Sequence, residues 1–390
     1  MNADRPLYFD YMATTPIDPR VIEEMLHYMG PNSEFGNPAS ITHVFGRKAA
    51  VAVEHARQDI AALVGASDEN IVFTSGATEA NNLAIVGAST FYQRKGKHLI
   101  TLSTEHKSVL DSFKHLEQCG FEVTYLKPQS NGLLCVDDLL NALREDTLLV
   151  SLMHVNNEIG VIQPIETIAT LLSQKGILFH VDAAQSAGKL PIALRESSID
   201  LMSFSAHKLY GPKGVGALYV RQKPRVRLMP QTYGGGHEGG LRSGTLATHQ
   251  IVGMGKAFQL ARTFQQEEYA RLRSLSEHLW TGIKHLPGLV LNGDPTMRIA
   301  NNLNIRFDGL HHDDLLIALK EIAYSTSSAC VAQKSEPSYV LRALGLSIVE
   351  AQSSIRLSFG RFTSPEDIDV LIAILCREIP RLFESKEDKK

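Results

Sequence analysis

The sequence predicts an α/β protein with a large domain, built on a mainly parallel seven-stranded sheet flanked by helices, and a smaller α+β domain. Two patterns predict this fold. Between about residues 50 and 260, short β-branched runs alternate with amphipathic stretches of helical length, which is typical of βα units. After about residue 265 the alternation lapses. The length of 390 residues also exceeds what one hydrophobic core usually supports, so we expect two domains.

Seven apolar runs are predicted strands of the large domain. They are Ile71–Thr74, His98–Leu102, Phe121–Leu126, Leu148–Val155, Ile177–Asp182, Asp200–Ser205 and Val215–Val220. The helices predicted between them are Thr78–Thr90, Lys107–Gln118, Ile165–Gln174 and a short one near Ala183–Ala187. Ligands of open α/β sheets bind beyond the carboxyl ends of the strands. We therefore expect functional residues directly after these runs.

The remaining residues predict the smaller domain. It should contain a long helix at Glu267–Leu286, a strand at Leu303–Phe307 and a helix at Asp313–Ile322. We expect the large domain to span residues 15–262, and the small domain to combine residues 1–14 with residues 263–390.

Composition and charge exclude several classes of protein. The net charge of −3 and the pI near 6.6 give no reason to expect general binding of nucleic acid or of anionic lipid. No run approaches the roughly 18 apolar residues of a membrane span, and the first residues lack the pattern of a secretory signal. We therefore expect a cytoplasmic protein with small-molecule and protein partners.

The sequence predicts no metal site. Cys119, Cys135, Cys330 and Cys376 are widely spaced and form no C-x-x-C pair, so neither a zinc site nor a disulfide framework is indicated. The adjacent residues His311–Asp314 resemble a metal cluster, but ligands on a helix share a face at i and i+4. Capping of a helix is the better interpretation of this segment.

Thr74–Asn81 is a candidate phosphate-binding turn. A predicted strand ends there, Gly76 permits a tight turn, and a helix begins with small residues that include Ala77 and Thr78. Free backbone N–H groups and the positive end of the helix dipole favour an anion at such a position. An ordinary capped helix start is the alternative.

Asp182 ends a near-continuous apolar run and should lie at the ligand edge of the sheet. A carboxylate there can keep a pyridine nitrogen protonated, so that the ring withdraws electrons, and Gln185 can reach an oxygen of that ring. The alternative role for Asp182 is the N-cap of a helix.

Lys208 follows another buried strand, in a segment that also contains Ser205, His207, Gly211 and Gly214. Most lysines are exposed, but this context favours a buried amine. Desolvation or nearby cations would lower its pKa toward that of an imine-forming amine. Ser205 and His207 would lie at the same edge, where they can donate hydrogen bonds to a phosphate.

Taken together, these segments give the sequence a family resemblance over nearly its whole length. It resembles the fold-type I pyridoxal-phosphate enzymes of the class V aminotransferase group and, within that group, the cysteine desulfurases of the IscS/NifS type. The residues that carry the resemblance are Asp10–Pro16, Gly36–Ser40, Phe73–Asn82, Thr104–His106, His154–Gly160, Val181–Gln185, Ser205–Gly214, Gly234–Thr245, Ser327–Cys330 and Ser354–Arg356.

The resemblance implies a role for each matching residue. Lys208 would be the Schiff-base lysine, Asp182 the partner of the pyridine nitrogen, and His106 a ring-stacking residue that shuttles protons. The other implied contacts are Asn157 and Gln185 on the ring oxygen side, Ala77, Thr78, Ser205 and His207 at the phosphate, Arg356 with Asn157 at the substrate, and Thr245 at the phosphate of the other subunit. A homodimer with shared active sites is therefore expected.

Cys330 distinguishes the desulfurases within this resemblance. It lies in Ser327–Ser338, a polar segment without strand or helix periodicity, and Lys334 and a bound cofactor would favour its thiolate. The resemblance implies conversion of L-cysteine to L-alanine, with the sulfur held as a persulfide on Cys330. The sulfur would then pass to acceptor proteins for iron–sulfur clusters or thiolation. An inert loop cysteine is the alternative.

Two other functions stay open. One is a different class V enzyme, such as a selenocysteine lyase or a transaminase, and the other is a non-catalytic scaffold. Two departures from the housekeeping relatives stand out, the first bearing on local phosphate or interface contacts and the second on the docking of sulfur acceptors. Gly239 stands where those relatives often carry an arginine, and the predicted last helix ends near Leu382 without a long tail.

Overall fold

The computed structural model describes residues 5–326 and 337–387. Its strands, in chain order, are β1 (Leu7–Tyr8), β2 (Ile71–Thr74), β3 (His98–Leu102), β4 (Glu122–Leu126), β5 (Thr147–Met153), β6 (Leu178–Asp182), β7 (Leu201–Ser205), β8 (Gly216–Val220), β9 (Leu289–Leu291), β10 (Asn302–Phe307), β11 (Ile322–Ala323), β12 (Ser325–Thr326) and β13 (Ser354–Ser358). Its α-helices are α1 (Pro19–Leu26), α2 (Val44–Leu63), α3 (Ala77–Tyr92), α4 (Lys107–Gln118), α5 (Val136–Ala142), α6 (Ile165–Gln174), α7 (Thr248–Ile283), α8 (His312–Ala318), α9 (Tyr339–Ala343), α10 (Ile348–Gln352) and α11 (Pro365–Glu387).

A seven-stranded sheet forms the centre of the fold, in the order β2-β8-β7-β6-β5-β3-β4. All neighbouring strands are parallel except β8, which runs antiparallel to β2 and to β7. The predicted fold class is confirmed, and every predicted strand lies within two residues of its observed bounds. Helices cover both faces, so the central strands are buried on both sides, as their continuous apolar runs predicted.

A second sheet, in the order β12-β13-β10-β9, and the short pair β1-β11 lie near the end of the chain. The largest hydrophobic cluster draws its residues from Val53 to Ala261, and another joins Phe9 to residues from Leu272 to Ile379. These two clusters support the proposed large and small domains. The exact boundaries stay a prediction, and the one at residue 262 falls inside α7.

Three helix predictions were wrong in extent or kind. Helix α7 begins at Thr248 rather than near Glu267. Residues 183–187 form hydrogen-bonded turns instead of a short helix. The predicted helix to Ile322 ends at Ala318, because Ile322 pairs with Leu7 in the β1-β11 sheet. Among the described helices, none has both the length and the apolar character needed to cross a membrane.

Candidate active site

A cavity of about 550 Å³ opens at the carboxyl edge of the central sheet. The strands β2, β5, β6 and β7 end there, so the residues that follow them converge on one space. The predicted site residues that line it are Ala77, Thr78, His106, Asn157, Asp182, Gln185, Ser205, His207, Lys208 and Arg356. Thr245 is described but does not line this cavity, and Cys330 lies outside the described residues.

The turn between β2 and α3 lines the cavity with residues 75–78. Gly76 has a φ of 154°, a conformation that favours glycine, and α3 begins at the next residue. The Ser75 N–H donates to the Glu79 carboxylate over 2.7 Å, which holds the turn to the first helical residues. A Cβ added to Gly216 would lie 2.6 Å from the Gly76 Cα, so strand β8 packs its bare backbone against the turn.

Lys208 places its amine in the cavity. Its Nζ donates to the backbone oxygens of Met12, over 2.6 Å, and of Ala13, over 2.8 Å. Burial, together with the nearby cations Arg356 and Lys189, lowers the pKa of Lys208 to about 7. The amine is therefore partly neutral at neutral pH, as the sequence argument predicted.

Asp182 is the last residue of β6 and is only 6% exposed. One carboxylate oxygen accepts from the Ala184 N–H over 2.9 Å, so Asp182 does cap the turn that follows its strand. The other oxygen accepts from the Asn81 side-chain amide over 2.8 Å. These two bonds fix the orientation of the carboxylate at the cavity wall. From the sequence, Asn81 was expected only as part of the turn. The signal that could have indicated its role is a polar residue inside a helix that packs on the sheet.

His106 follows β3 and is the N-cap residue of α4. Its Nδ1 accepts from the Ser108 N–H over 3.2 Å and lies 2.8 Å from the Ser108 hydroxyl oxygen. The imidazole is thus held by the start of the helix while it lines the cavity. Ser108 was not predicted as a site residue.

Gln185 and Asn157 bring side-chain amides to the same space. The Gln185 Nε2 donates to the Met12 carbonyl oxygen over 2.9 Å, and its Oε1 accepts from the half-buried Lys189 amine over 3.3 Å. The side-chain oxygen of Asn157 is buried and has no hydrogen-bond partner within the described part of the chain. A buried acceptor without a partner is costly, which indicates that a donor from a ligand belongs beside it.

His207 and Ser205 stand at the end of β7. Burial, together with the neighbouring charges of Lys208 and Lys213, lowers the pKa of His207 to about 4. The imidazole is therefore neutral at pH 7, and its Nδ1 lies 3.1 Å from the Thr14 hydroxyl oxygen. Ser205 is buried and lines the cavity.

Arg356 approaches the cavity from β13 of the second sheet. Its Nη1 donates to the Asn157 carbonyl oxygen over 2.7 Å, and its Nη2 donates to the Asp10 carboxylate over 2.7 Å. The Ser325 hydroxyl also donates to that carboxylate. The buried Nε has no partner within the described residues, so the guanidinium is oriented but keeps a free donor. Asp10 was not predicted as a site residue, although it lies in a segment that carried the resemblance.

Two ion pairs fasten the loop that carries Thr245, one to α2 and the other to the first turn of α3. The Arg57 guanidinium donates to both Glu238 oxygens, over 2.8 Å and 2.9 Å, and the Glu238 side chain is 2% exposed. The Arg242 Nε donates to Glu79 over 2.9 Å. Thr245 itself is exposed and does not line this cavity.

Comparisons with known proteins identify the family. The model of the family described as aminotransferase class-V matches residues 7–371. The chain is 56% identical over 379 residues to the cysteine desulfurase IscS of Klebsiella pneumoniae subsp. pneumoniae, covering 97% of this chain and 94% of that protein.

Solved structures agree with the match. A NifS-like protein has a TM-score of 0.87 and 35% identity, covering 94% of this chain and 97% of that chain. A structure titled SspA in complex with cysteine has a TM-score of 0.81 and 39% identity, covering 92% of this chain and 100% of that chain. The chain therefore belongs to the class V aminotransferase family.

Proposed function

We propose that this protein is a pyridoxal-phosphate-dependent cysteine desulfurase, which converts L-cysteine to L-alanine and keeps the sulfur on Cys330. The proposal rests mainly on one observation. A single cavity combines the low-pKa amine of Lys208, the oriented carboxylate of Asp182 and the turn Ser75–Thr78. Relatives with 56% identity over 97% of the chain bear the name cysteine desulfurase, which supports the same activity here.

The residues of the cavity fit pyridoxal phosphate. The backbone N–H groups at the start of α3, with Ala77, Thr78, Ser205 and His207, offer donors for the phosphate. The unpartnered side-chain oxygen of Asn157 and the amide of Gln185 suit the ring oxygen side. Asp182 would pair with the ring nitrogen, and Lys208 would hold the aldehyde as an imine.

When bound, the cofactor supplies a carbonyl for the substrate amine and a ring that withdraws electrons from the substrate Cα. The chain supplies the remaining functions. Lys208, once released, has an amine of pKa about 7 that can take the Cα proton near neutral pH. Arg356 would bind the substrate carboxylate through its free Nε, with Asp10 and Asn157 holding the guanidinium in place.

Sulfur transfer requires a thiolate, which we assign to Cys330. Its sulfur attacks the sulfur of the bound cysteine, so an S–S bond forms while the bond from that sulfur to Cβ breaks. Cβ then gains a proton and L-alanine leaves. One cysteine and one enzyme thiol thus give one alanine and one enzyme persulfide, and no outside oxidant or reductant is needed.

The active unit would be a homodimer. Large apolar side chains are exposed near the loop of Thr245 and in the segment before α2, including Tyr233 (75%), Ile41 (68%) and Phe35 (56%). A second copy would cover them and receive Thr245 at its phosphate. The persulfide sulfur would then pass to acceptor proteins for iron–sulfur clusters or thiolation. Gly239, with a φ of 63°, lies beside Glu238 in this loop, where an arginine would add a cation.

Mass spectrometry after incubation with L-cysteine tests the function. We expect one added sulfur on the peptide that contains Cys330 and one L-alanine per sulfur released to a thiol. Cys330→Ala should abolish both. Cys119→Ala is the control, because Cys119 is an exposed thiol at the C-cap of α4, and it should leave both intact. A transaminase would instead keep its activity in Cys330→Ala, and a scaffold would bind no cofactor and show no imine absorption.

A further inference from the structure

A hydrogen-bonded chain of four side chains connects His106 to Asp182 along the cavity wall, with only Asn81 outside the lining. The Asn81 Nδ2 lies 2.8 Å from an Asp182 carboxylate oxygen and 2.9 Å from the Ser108 hydroxyl oxygen. The Ser108 hydroxyl lies 2.8 Å from the His106 Nδ1. Asn81 is fully buried in α3, and Ser108 lies in the first turn of α4, so two helices and the end of β6 contribute to the chain.

The direction of each hydrogen bond follows from the chemistry of its ends. An ionised carboxylate only accepts, so the Asn81 group that faces Asp182 has to be its NH₂. The same nitrogen has a second hydrogen, which it donates to the Ser108 oxygen. Ser108 therefore accepts from Asn81 and has its own hydroxyl hydrogen free for His106.

The backbone of α4 favours one tautomer of the neutral imidazole. The Ser108 N–H also donates to the His106 Nδ1, over 3.2 Å, as part of the N-cap of α4. A nitrogen that receives this N–H cannot carry a hydrogen that points in the same direction. Nδ1 is thus the acceptor of two donors, and the hydrogen of the neutral ring lies on Nε2.

We propose that Asn81 and Ser108 are positioning residues that lock His106 in the tautomer with its hydrogen on Nε2 and tie it to Asp182. The tautomer follows from the geometry alone, and only its role in the reaction rests on the proposed function. With Nδ1 held by the helix, Nε2 is the ring nitrogen left for the cavity, so His106 enters the reaction as a hydrogen donor. Lys208 would then take the Cα proton while His106 gives one, and the two groups would not compete for the same step.

The tautomer of His106 can be observed directly by NMR. Long-range ¹H–¹⁵N spectra of the full-length protein labelled with ¹⁵N-histidine distinguish protonated from unprotonated ring nitrogens, and His106→Gln assigns the signals. We expect an unprotonated Nδ1 and a protonated Nε2. Ser108→Ala should lower the ratio of the two tautomers about fivefold, the change expected for the loss of one hydrogen bond. Ser108→Thr keeps the hydroxyl and should restore the original ratio.

Two further variants distinguish the loss of this hydrogen-bonded chain from a general loss of helix stability. In Asn81→Ser, the shorter side chain cannot reach both Ser108 and Asp182. This variant should therefore move the His106 signals in the same direction as Ser108→Ala. Ser112→Ala is the matched control, because its hydroxyl lies one turn later on α4 and donates only to the Ser108 carbonyl oxygen. It should leave the His106 signals unchanged.

Three results would overturn the inference: a hydrogen on Nδ1 in the unmodified protein, unchanged His106 signals in Ser108→Ala, or an equal change in Ser112→Ala. Alanine formation from cysteine is measured on the same samples. A protein that makes alanine but has its hydrogen on Nδ1 contradicts the positioning role and leaves the function standing. A protein with the expected tautomer but no alanine contradicts the function alone.

Discussion

The Nζ of Lys208 lies 2.6 Å from the carbonyl oxygen of Met12, which also accepts a hydrogen bond from the Gln185 amide. The segment between β1 and α1 thus reaches across the cavity to hold the lysine amine when that amine is not bonded to a ligand. Carbonyl oxygens accept from either charge state of an amine, so they orient it without fixing its charge. The charge is set by burial, which lowers the pKa of Lys208 to about 7.

Imine formation between the cofactor-free protein and pyridoxal phosphate should depend on pH through this amine. Only a neutral amine attacks an aldehyde, and with a pKa of about 7 the neutral fraction rises about tenfold per pH unit below 7 and levels off above it. The growth of imine absorption, followed from pH 5.5 to 9, measures the rate. Nα-acetyl-lysine under the same conditions corrects for titration of the cofactor. A rate that keeps rising tenfold per unit up to pH 9 would mean that burial does not lower this pKa. Lys208→Ala should give no imine at any pH.

Gly216→Ala should weaken cofactor binding by distorting the phosphate-binding turn. The new Cβ would lie 2.5 Å from the Phe204 carbonyl oxygen and 2.6 Å from the Gly76 Cα, and both contacts are backbone atoms that cannot rotate away. We expect the Kd for pyridoxal phosphate to rise at least tenfold, measured by fluorescence titration. Gly176→Ala is the control: it adds strain of about 1 kcal/mol at a φ of 68° but meets no atom within 4 Å. Equal Kd values in the two variants would contradict the role of this contact.

The sequence predicted the strands well because each is a short apolar run that the sheet buries on both faces. It failed at the start of α7, where Gly253 and Gly255 lowered the helical signal. The structure explains these glycines by close packing: a Cβ on Gly255 would lie 2.6 Å from the Ala56 Cα in α2, and one on Gly253 would meet Met25 in α1. A need for close helix contact is a tertiary property that a local pattern does not contain.

The site residues also divide into those that a local sequence pattern predicts and those that it does not. Those at strand ends, such as Asp182 and Lys208, could be predicted because strand direction places them at one edge. Asn81, Ser108 and Asp10 were missed because their roles depend on hydrogen bonds between segments that are far apart in sequence. No local spacing indicates which buried amide faces which carboxylate.

Glu238→Gln should destabilise the loop that carries Thr245. The Glu238 side chain is 2% exposed and the Arg57 side chain 12% exposed, and the Phe73 N–H of the edge strand β2 donates to the same carboxylate over 2.7 Å. Removing the charge of Glu238 leaves the half-buried Arg57 with only the exposed Glu54 as an ionic partner, which should cost up to about 3–5 kcal/mol. The change should appear in the free energy of unfolding in urea. Glu54→Gln removes the exposed partner of the same arginine and should cost less than about 1 kcal/mol. Similar losses in both variants would show that burial of Glu238 does not strengthen its pairing.

Arg356→Lys should raise the KM for L-cysteine and change kcat less. The Arg356 guanidinium already uses Nη1 on Asn157 and Nη2 on Asp10, so its orientation depends on a planar group with several donors. A lysine amine keeps the charge, but it cannot hold both protein oxygens and also offer a directed donor to a substrate carboxylate. The loss of one charge-assisted hydrogen bond, about 1.5–3 kcal/mol, corresponds to a KM roughly 10- to 100-fold higher. Arg306→Lys is the matched control, because Arg306 lies on the adjacent strand β10, pairs with Asp308 and does not line the cavity. Steady-state alanine formation at varied cysteine concentration separates the two constants. An unchanged KM in Arg356→Lys, or an equal rise in Arg306→Lys, would remove Arg356 from the substrate site and leave it only the role of joining β13 to the N-terminal segment.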